Sequence, residues 1–163
     1  VQLSGAMLAV LAANSAAPPP REATGLASIS YEKTACYGVC PVFVATLRSD
    51  GTGTFDGKQF TVARGPTPFR VAPATFRALA ATLAPLRPRH GTVVYDPMNC
   101  RGLGAPVTDA SSTRIVWRGA NGRLASLAFY DGCPAKAVTD RLAAARALLP
   151  LDRFIGRPDR RRR

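Results

Sequence analysis

Four cysteines carry most of the chemistry that this sequence could perform: Cys36, Cys40, Cys100 and Cys133. An even number of cysteines behind a signal-like N-terminus reads as a disulfide framework formed outside the reducing cytoplasm. Four cysteines allow three pairings, and Cys36–Cys40 with Cys100–Cys133 is the favoured one. Cys36-Tyr37-Gly38-Val39-Cys40 is a turn with glycine at its centre, which can bring its two sulfurs together. Chain-entropy reasoning gives about 2 kcal/mol for so short a loop and about 4 kcal/mol for the longer one. A thiol–disulfide redox centre at Cys36 and Cys40 is the rival reading. Redox motifs of that kind place two residues between the cysteines at the start of a helix, which lowers the thiolate pKa. Here three residues intervene and the flanks read as strands. A zinc site of four cysteines needs two close pairs, and the sequence has one.

Other catalytic equipment is sparse. A hydrolase needs a base beside its nucleophile. The sole histidine, His90, lies in Arg87-Pro88-Arg89-His90-Gly91, which reads as a surface loop. Grouping it with Ser111 and Asp109 has no support in spacing, and Asp109 reads better as a turn or cap whose carboxylate accepts backbone N–H groups. Paired carboxylates are no better served: Glu32 falls on a strand, while Asp96, Asp109 and Asp131 neighbour turns. No catalytic residue, metal site or cofactor is therefore expected. Trp117 and Tyr130 could form an exposed platform for sugar or peptide, although core or hairpin packing is the commoner role for such residues.

The chain of 163 residues has 22 basic and 10 acidic side chains, a net charge of +12. The tail Arg157-Pro158-Asp159-Arg160-Arg161-Arg162-Arg163 holds part of this, and without it 17 bases face 9 acids, leaving +8. A basic surface of this kind attracts phosphate, anionic lipid or acidic polymers through salt-sensitive forces. Arg160, Arg161, Arg162 and Arg163 are candidate anion contacts, but a solvated chain end is the simpler reading. Only three lysines accompany the arginines, so a compositional bias also inflates the charge, and nucleic acid is not the expected partner.

The elements that must position these residues follow from periodicity. Met7 to Ala17 is a short apolar run ending in Ser15-Ala16-Ala17, similar to the end of a secretory signal; no cysteine follows it, which argues against a lipid anchor. Residues 1–23 are expected to stand outside the fold, 24–156 to form one domain, and 157–163 to be a disordered arginine-rich tail. No stretch reaches the roughly 20 apolar residues that span a bilayer. Strands are predicted over Leu26–Thr34, Pro41–Arg48, Thr52–Phe55 and Gln59–Ala63, the last two separated by a tight turn at Asp56-Gly57. A helix opens at Pro73 with Phe76, Leu79, Ala80 and Leu83 on one face. Thr92–Tyr95 is a candidate short strand. Thr113–Arg118 and Leu124–Tyr130 form a hairpin, and a helix after Cys133-Pro134 carries Val138, Leu142, Ala145 and Leu149 until Pro150 stops it. The fold class is α+β: an antiparallel sheet built as a four-stranded meander, helix, β-hairpin and helix, with the helices packed on one face.

Thr34-Ala35-Cys36-Tyr37-Gly38-Val39-Cys40-Pro41-Val42-Phe43 resembles the opening signature of a bacterial family, domain of unknown function 6438. Asp50-Gly51-Thr52, Phe55 to Gly57, Cys100 with Val107-Thr108-Asp109-Ala110, and Tyr130-Asp131-Gly132-Cys133 are similar to its later motifs and occur in the same order. Ser111 stands where that pattern commonly has proline. The resemblance spans roughly Leu26 to Ile155. It implies an exported α+β domain and supplies no catalytic residue. The expectation is a periplasmic or secreted, non-enzymatic module that binds a protein or an anionic envelope component.

Overall fold

Alternating inward-facing residues build a seven-stranded sheet in a computed structural model that describes residues 25–98 and 100–156. The segment 1–23 and the tail 157–163, with Arg160, Arg161, Arg162 and Arg163, lie outside the described residues. The strands are β1 (Leu26–Lys33), β2 (Val42–Arg48), β3 (Thr52–Gln59), β4 (Gly65–Arg70), β5 (Gly91–Tyr95), β6 (Ser112–Gly119) and β7 (Leu124–Tyr130). Their order across the sheet is β4-β3-β2-β1-β6-β7-β5. Every neighbouring pair is antiparallel except β5 with β7. Three α-helices are described: α1 (Pro73–Leu83), α2 (Lys136–Leu148) and α3 (Asp152–Ile155). None is long and apolar enough to cross a membrane.

One face of the sheet is dry. Ile29 and Tyr31 of β1, Phe43, Ala45 and Leu47 of β2, Phe55 of β3, Ile115 and Trp117 of β6, and Phe129 of β7 are all buried, while most of their in-between neighbours are half-buried. The helices cover this face. Phe76, Leu79, Ala80 and Leu83 of α1 and Val138, Leu142 and Ala145 of α2 complete the core. Rings run across three strands: Tyr31, Phe43 and Phe55 stack in succession, and Phe154 of α3 stacks on Phe55 with centroids 4.9 Å apart.

Three expectations are corrected. Asp56-Gly57 is not a tight turn: β3 runs through it to Gln59, and Gly57 pairs with Phe43 on one side and Gly65 on the other. Glycine is required there because a Cβ would stand 2.0 Å from the Ala63 carbonyl oxygen. The fourth strand is therefore not Gln59–Ala63 but Gly65–Arg70, which contains Pro66 and Pro68. β4 is an edge strand, and an edge tolerates the missing N–H groups that a central strand would not. The segment before it bends, with Phe60 at φ 52°, and docks on α3 through Val62 and Ala63 N–H donors to the carbonyls of Ile155 and Phe154. Finally, β5 joins the sheet in parallel beside β7, which makes the sheet mixed rather than purely antiparallel.

Phe154 anchors this last corner, so Phe154→Ala is expected to lower stability in urea denaturation by about 3 kcal/mol, within the usual cost of truncating a core phenylalanine. Phe154→Leu should lose well under half of that. Equal losses for the two would show that the stacked ring contributes little.

Candidate functional site

Both predicted disulfides are present, Cys36–Cys40 and Cys100–Cys133, with Cα atoms 5.8 and 5.4 Å apart. Cys36 and Cys40 tie the loop between β1 and β2, and no helix starts at either sulfur. Cys100 and Cys133 tie the long loop after β5 to the segment after β7. No free cysteine and no group of metal-ligating side chains occurs among the described residues.

The antiparallel register brings these loops to one end of the sheet. Lys33 at the end of β1 pairs with Phe43 and Thr113, and Thr113 pairs with Phe129 near the end of β7. Lys33 and Thr113 continue the inward-facing rows of their strands, and Asp131 holds the same parity just beyond β7. The core's inward face therefore ends in a polar knot. Lys33 Nζ donates to Asp131 Oδ2 at 2.5 Å and to Thr113 Oγ1 at 3.0 Å. Thr113 Oγ1 donates to Asp131 Oδ1 at 2.7 Å, and Ser111 Oγ to Asp131 Oδ2 at 2.6 Å. Thr113 is buried, and the ion pair is about a quarter exposed on each side at 24%. Burial raises the Tyr31 phenol above tyrosine's ordinary 10.0; a hydrogen bond with Thr113 opposes the shift and the charge of Asp131 adds to it.

Backbone bonds lock the surrounding loops. Val107 N–H donates to the Gly132 carbonyl at 2.8 Å, and a Cβ on Gly132 would stand 2.1 Å from the Val107 carbonyl oxygen. Only glycine permits that approach. Asp109 adopts φ 64°, within the left-handed region that Asp enters more readily than most residues. It does sit in a turn, but its carboxylate is not the capping group. Its backbone carbonyl accepts from Tyr37 N–H at 3.2 Å, while the carboxylate receives only a long 3.5 Å contact from Thr108. The Tyr130 hydroxyl accepts from Ala110 N–H at 3.1 Å, which fixes the same loop.

The stretches Thr34–Phe43, Val107–Ala110 and Tyr130–Cys133 are distant in sequence and meet here. One family model, described as a domain of unknown function (DUF6438), matches residues 27–149. The chain belongs to this family. The DUF6438 match takes in all seven strands save Leu26 at the start of β1, together with α1 and α2, and leaves α3 outside it. No curated protein and no solved structure matches the chain.

Other candidate residues separate. Trp117 is 0% exposed, near the opposite end of β6, so it is not a surface platform; its place on the inward row beside Ile29 accounts for the burial. His90 precedes β5, whose first residue pairs with Ala125 at the far end of β7 from Tyr130. Ser111 is bonded to Asp131 at the loop end. A triad of His90, Ser111 and Asp109 is therefore not assembled, because the length of the strands separates the histidine from its partners.

Two features escaped the sequence reading. The Lys33–Thr113–Asp131 knot was available by extending each strand's alternation one inward step. The second feature is an apolar loop surface: Tyr37 is 89% exposed, Val39 78%, Met98 86% and Val107 72%. Loop placement of these residues gave no sequence signal that they share one end.

Asp131→Ala is expected to destabilise the DUF6438 domain by about 2 kcal/mol, since three donors lose their acceptor; partial exposure keeps the loss below that of a fully buried pair. Adding Lys33→Met should recover part of it in a double-mutant cycle. Strict additivity would show that Lys33 and Asp131 are not coupled. A second expectation concerns Tyr31. The fold prefers its neutral form, so its contribution is complete below tyrosine's ordinary range and is lost as pH rises through the raised folded value. Alkaline absorbance titration should show a tyrosine component ionising above tyrosine's ordinary range, which Tyr31→Phe removes.

Proposed function

We propose that this chain is an exported, non-enzymatic binding module that holds a protein partner at the loop end of its sheet. The observation that carries this reading is that Tyr37, Val39, Met98 and Val107 all face solvent on loops at the end of the sheet braced by two disulfides. Large apolar side chains held on fixed loops lose little conformational freedom on binding, and aromatic anchors of this kind dominate protein interfaces. The surface suits a protein better than a polyanion, because Asp109 lies within it and Lys33 is already paired. Disulfides in both loop connections favour a periplasmic or secreted setting. Catalysis has little support here: Ser111 and Lys33 both direct their protons to the Asp131 carboxylate, so neither is poised as a nucleophile.

The test uses the oxidised full chain. Tyr37→Ser with Val39→Ser changes two exposed positions and should leave stability nearly untouched, within about 0.5 kcal/mol. It should also abolish at least nine-tenths of the cross-linking obtained from a photoreactive group at position 107 in the host's exported fraction, a loss of about 1.4 kcal/mol or more in affinity. An undiminished cross-link would remove the loop end as the interface. Turnover of a disulfide substrate that disappears in Cys40→Ser would replace the binding reading with the redox one.

A further inference from the structure

The end of the sheet opposite the disulfide loops carries a cleft separate from the loop-end surface. Its floor is apolar: Leu26, Ala80 and Trp117 line it, and the loop after α1 forms its rim with Arg87 and Arg89. The volume is about 380 Å³. A second hollow of about 310 Å³ shares both arginines and adds Asn121 and Arg123 from the β6–β7 hairpin. No described carboxylate lines either part or forms an ion pair with Arg87, Arg89 or Arg123. Three arginines thus line the same hollow with no counter-charge among the described residues. Trp117 supplies an independent sign. Its indole Nε1 is buried and has no hydrogen-bond partner. Buried polar groups left without a partner are uncommon, and each calls for an acceptor.

We propose that this cleft binds a small amphipathic oxyanion, a phosphate monoester or carboxylate carried on an aromatic or apolar body. The arginines hold the anionic oxygens, since a guanidinium offers a fork of donors matched to phosphate and carboxylate. The body lies in the cleft above Leu26 and Ala80; because the indole is 0% exposed, the rim loop must yield for an oxygen of the ligand to accept from Trp117 Nε1. The site is independent of the loop-end interface, so either can fail alone.

Trp117 is the only tryptophan in the chain, so its fluorescence reports this site directly. Phenyl phosphate, benzoate, inorganic phosphate and benzyl alcohol are titrated into the full chain at low salt, with calorimetry in parallel. At least one of the two aromatic anions should bind saturably and change the indole emission, and the tighter one identifies the anionic group. Inorganic phosphate and benzyl alcohol should bind more weakly, since each supplies half of the recognition. Affinity should fall as salt is raised. Arg87→Ala with Arg89→Ala should weaken binding at least tenfold. Arg64→Ala with Arg114→Ala removes the same charge at the other end of the sheet and should leave binding unchanged. Trp117→Phe keeps an aromatic floor without the N–H; calorimetry should find weaker binding while the melting profile stays cooperative. The proposal is overturned if neither aromatic anion binds saturably, or if the Arg87/Arg89 double variant binds as tightly as the parent.

Discussion

Asp131 imposes the constraint on which the loop end depends. It is a carboxylate on the inward-facing row of a strand, where the next positions down are Phe129 and Leu127. Such a group is tolerable only with its lone pairs occupied. Lys33, Thr113 and Ser111 occupy them from β1, β6 and the loop before β6. Satisfying one side chain thus fixes three chain segments relative to one another. The Cys100–Cys133 bridge lies two residues further along from Asp131 and fastens a fourth. The apolar loop surface is consequently held by a charge, two hydroxyls and a covalent bond, rather than by loop packing alone.

The two ends of the sheet are built on different physical terms. At the loop end, the Asp131 carboxylate is matched by three donors and exposed apolar side chains stand on the loops around it. At the hairpin end, the floor is apolar and the rim is cationic, with donors lacking acceptors. A single strand, β6, links them: Thr113 belongs to the polar knot and Trp117 to the opposite cleft, with Ile115 sealed between them in the core. Ligands at the two ends would therefore meet through a rigid, dry row of side chains.

Much of this architecture was legible in the sequence because alternation is a strong signal where one face is dry. β1, β2, β6 and β7 follow from Ile29, Tyr31, Phe43, Leu47, Ile115 and Phe129, and the helix faces follow from Phe76–Leu83 and Val138–Ala145. The glycine turn favoured the Cys36–Cys40 pairing, and with it Cys100–Cys133, among the three that four cysteines allow. What misled the reading was local chemistry overruled by tertiary position. Asp56-Gly57 carries a turn composition, yet Gly57 serves close approach by Ala63. Pro66 and Pro68 argue against a strand until the strand is known to be an edge. The pairing of β5 with β7 depends on a long irregular connection whose path no periodicity records. The polar knot was partly legible, since Lys33, Thr113 and Asp131 share parity with core residues. The arginine-lined cleft was not, because Arg87, Arg89 and Arg123 converge only through the sheet's strand order.

The prolines of β4 have a consequence for how copies of this domain meet. A sheet rim normally offers a ladder of amide donors to any incoming strand, and Pro66 and Pro68 delete two rungs from this one. The opposite rim, β5, contains no proline and keeps all five amides, with Val94 substantially open to water. Lateral growth of the sheet is thereby discouraged on one flank, while no described strand covers the other. Such one-sidedness limits strand-to-strand docking to a closed pair, because a filament would need both flanks.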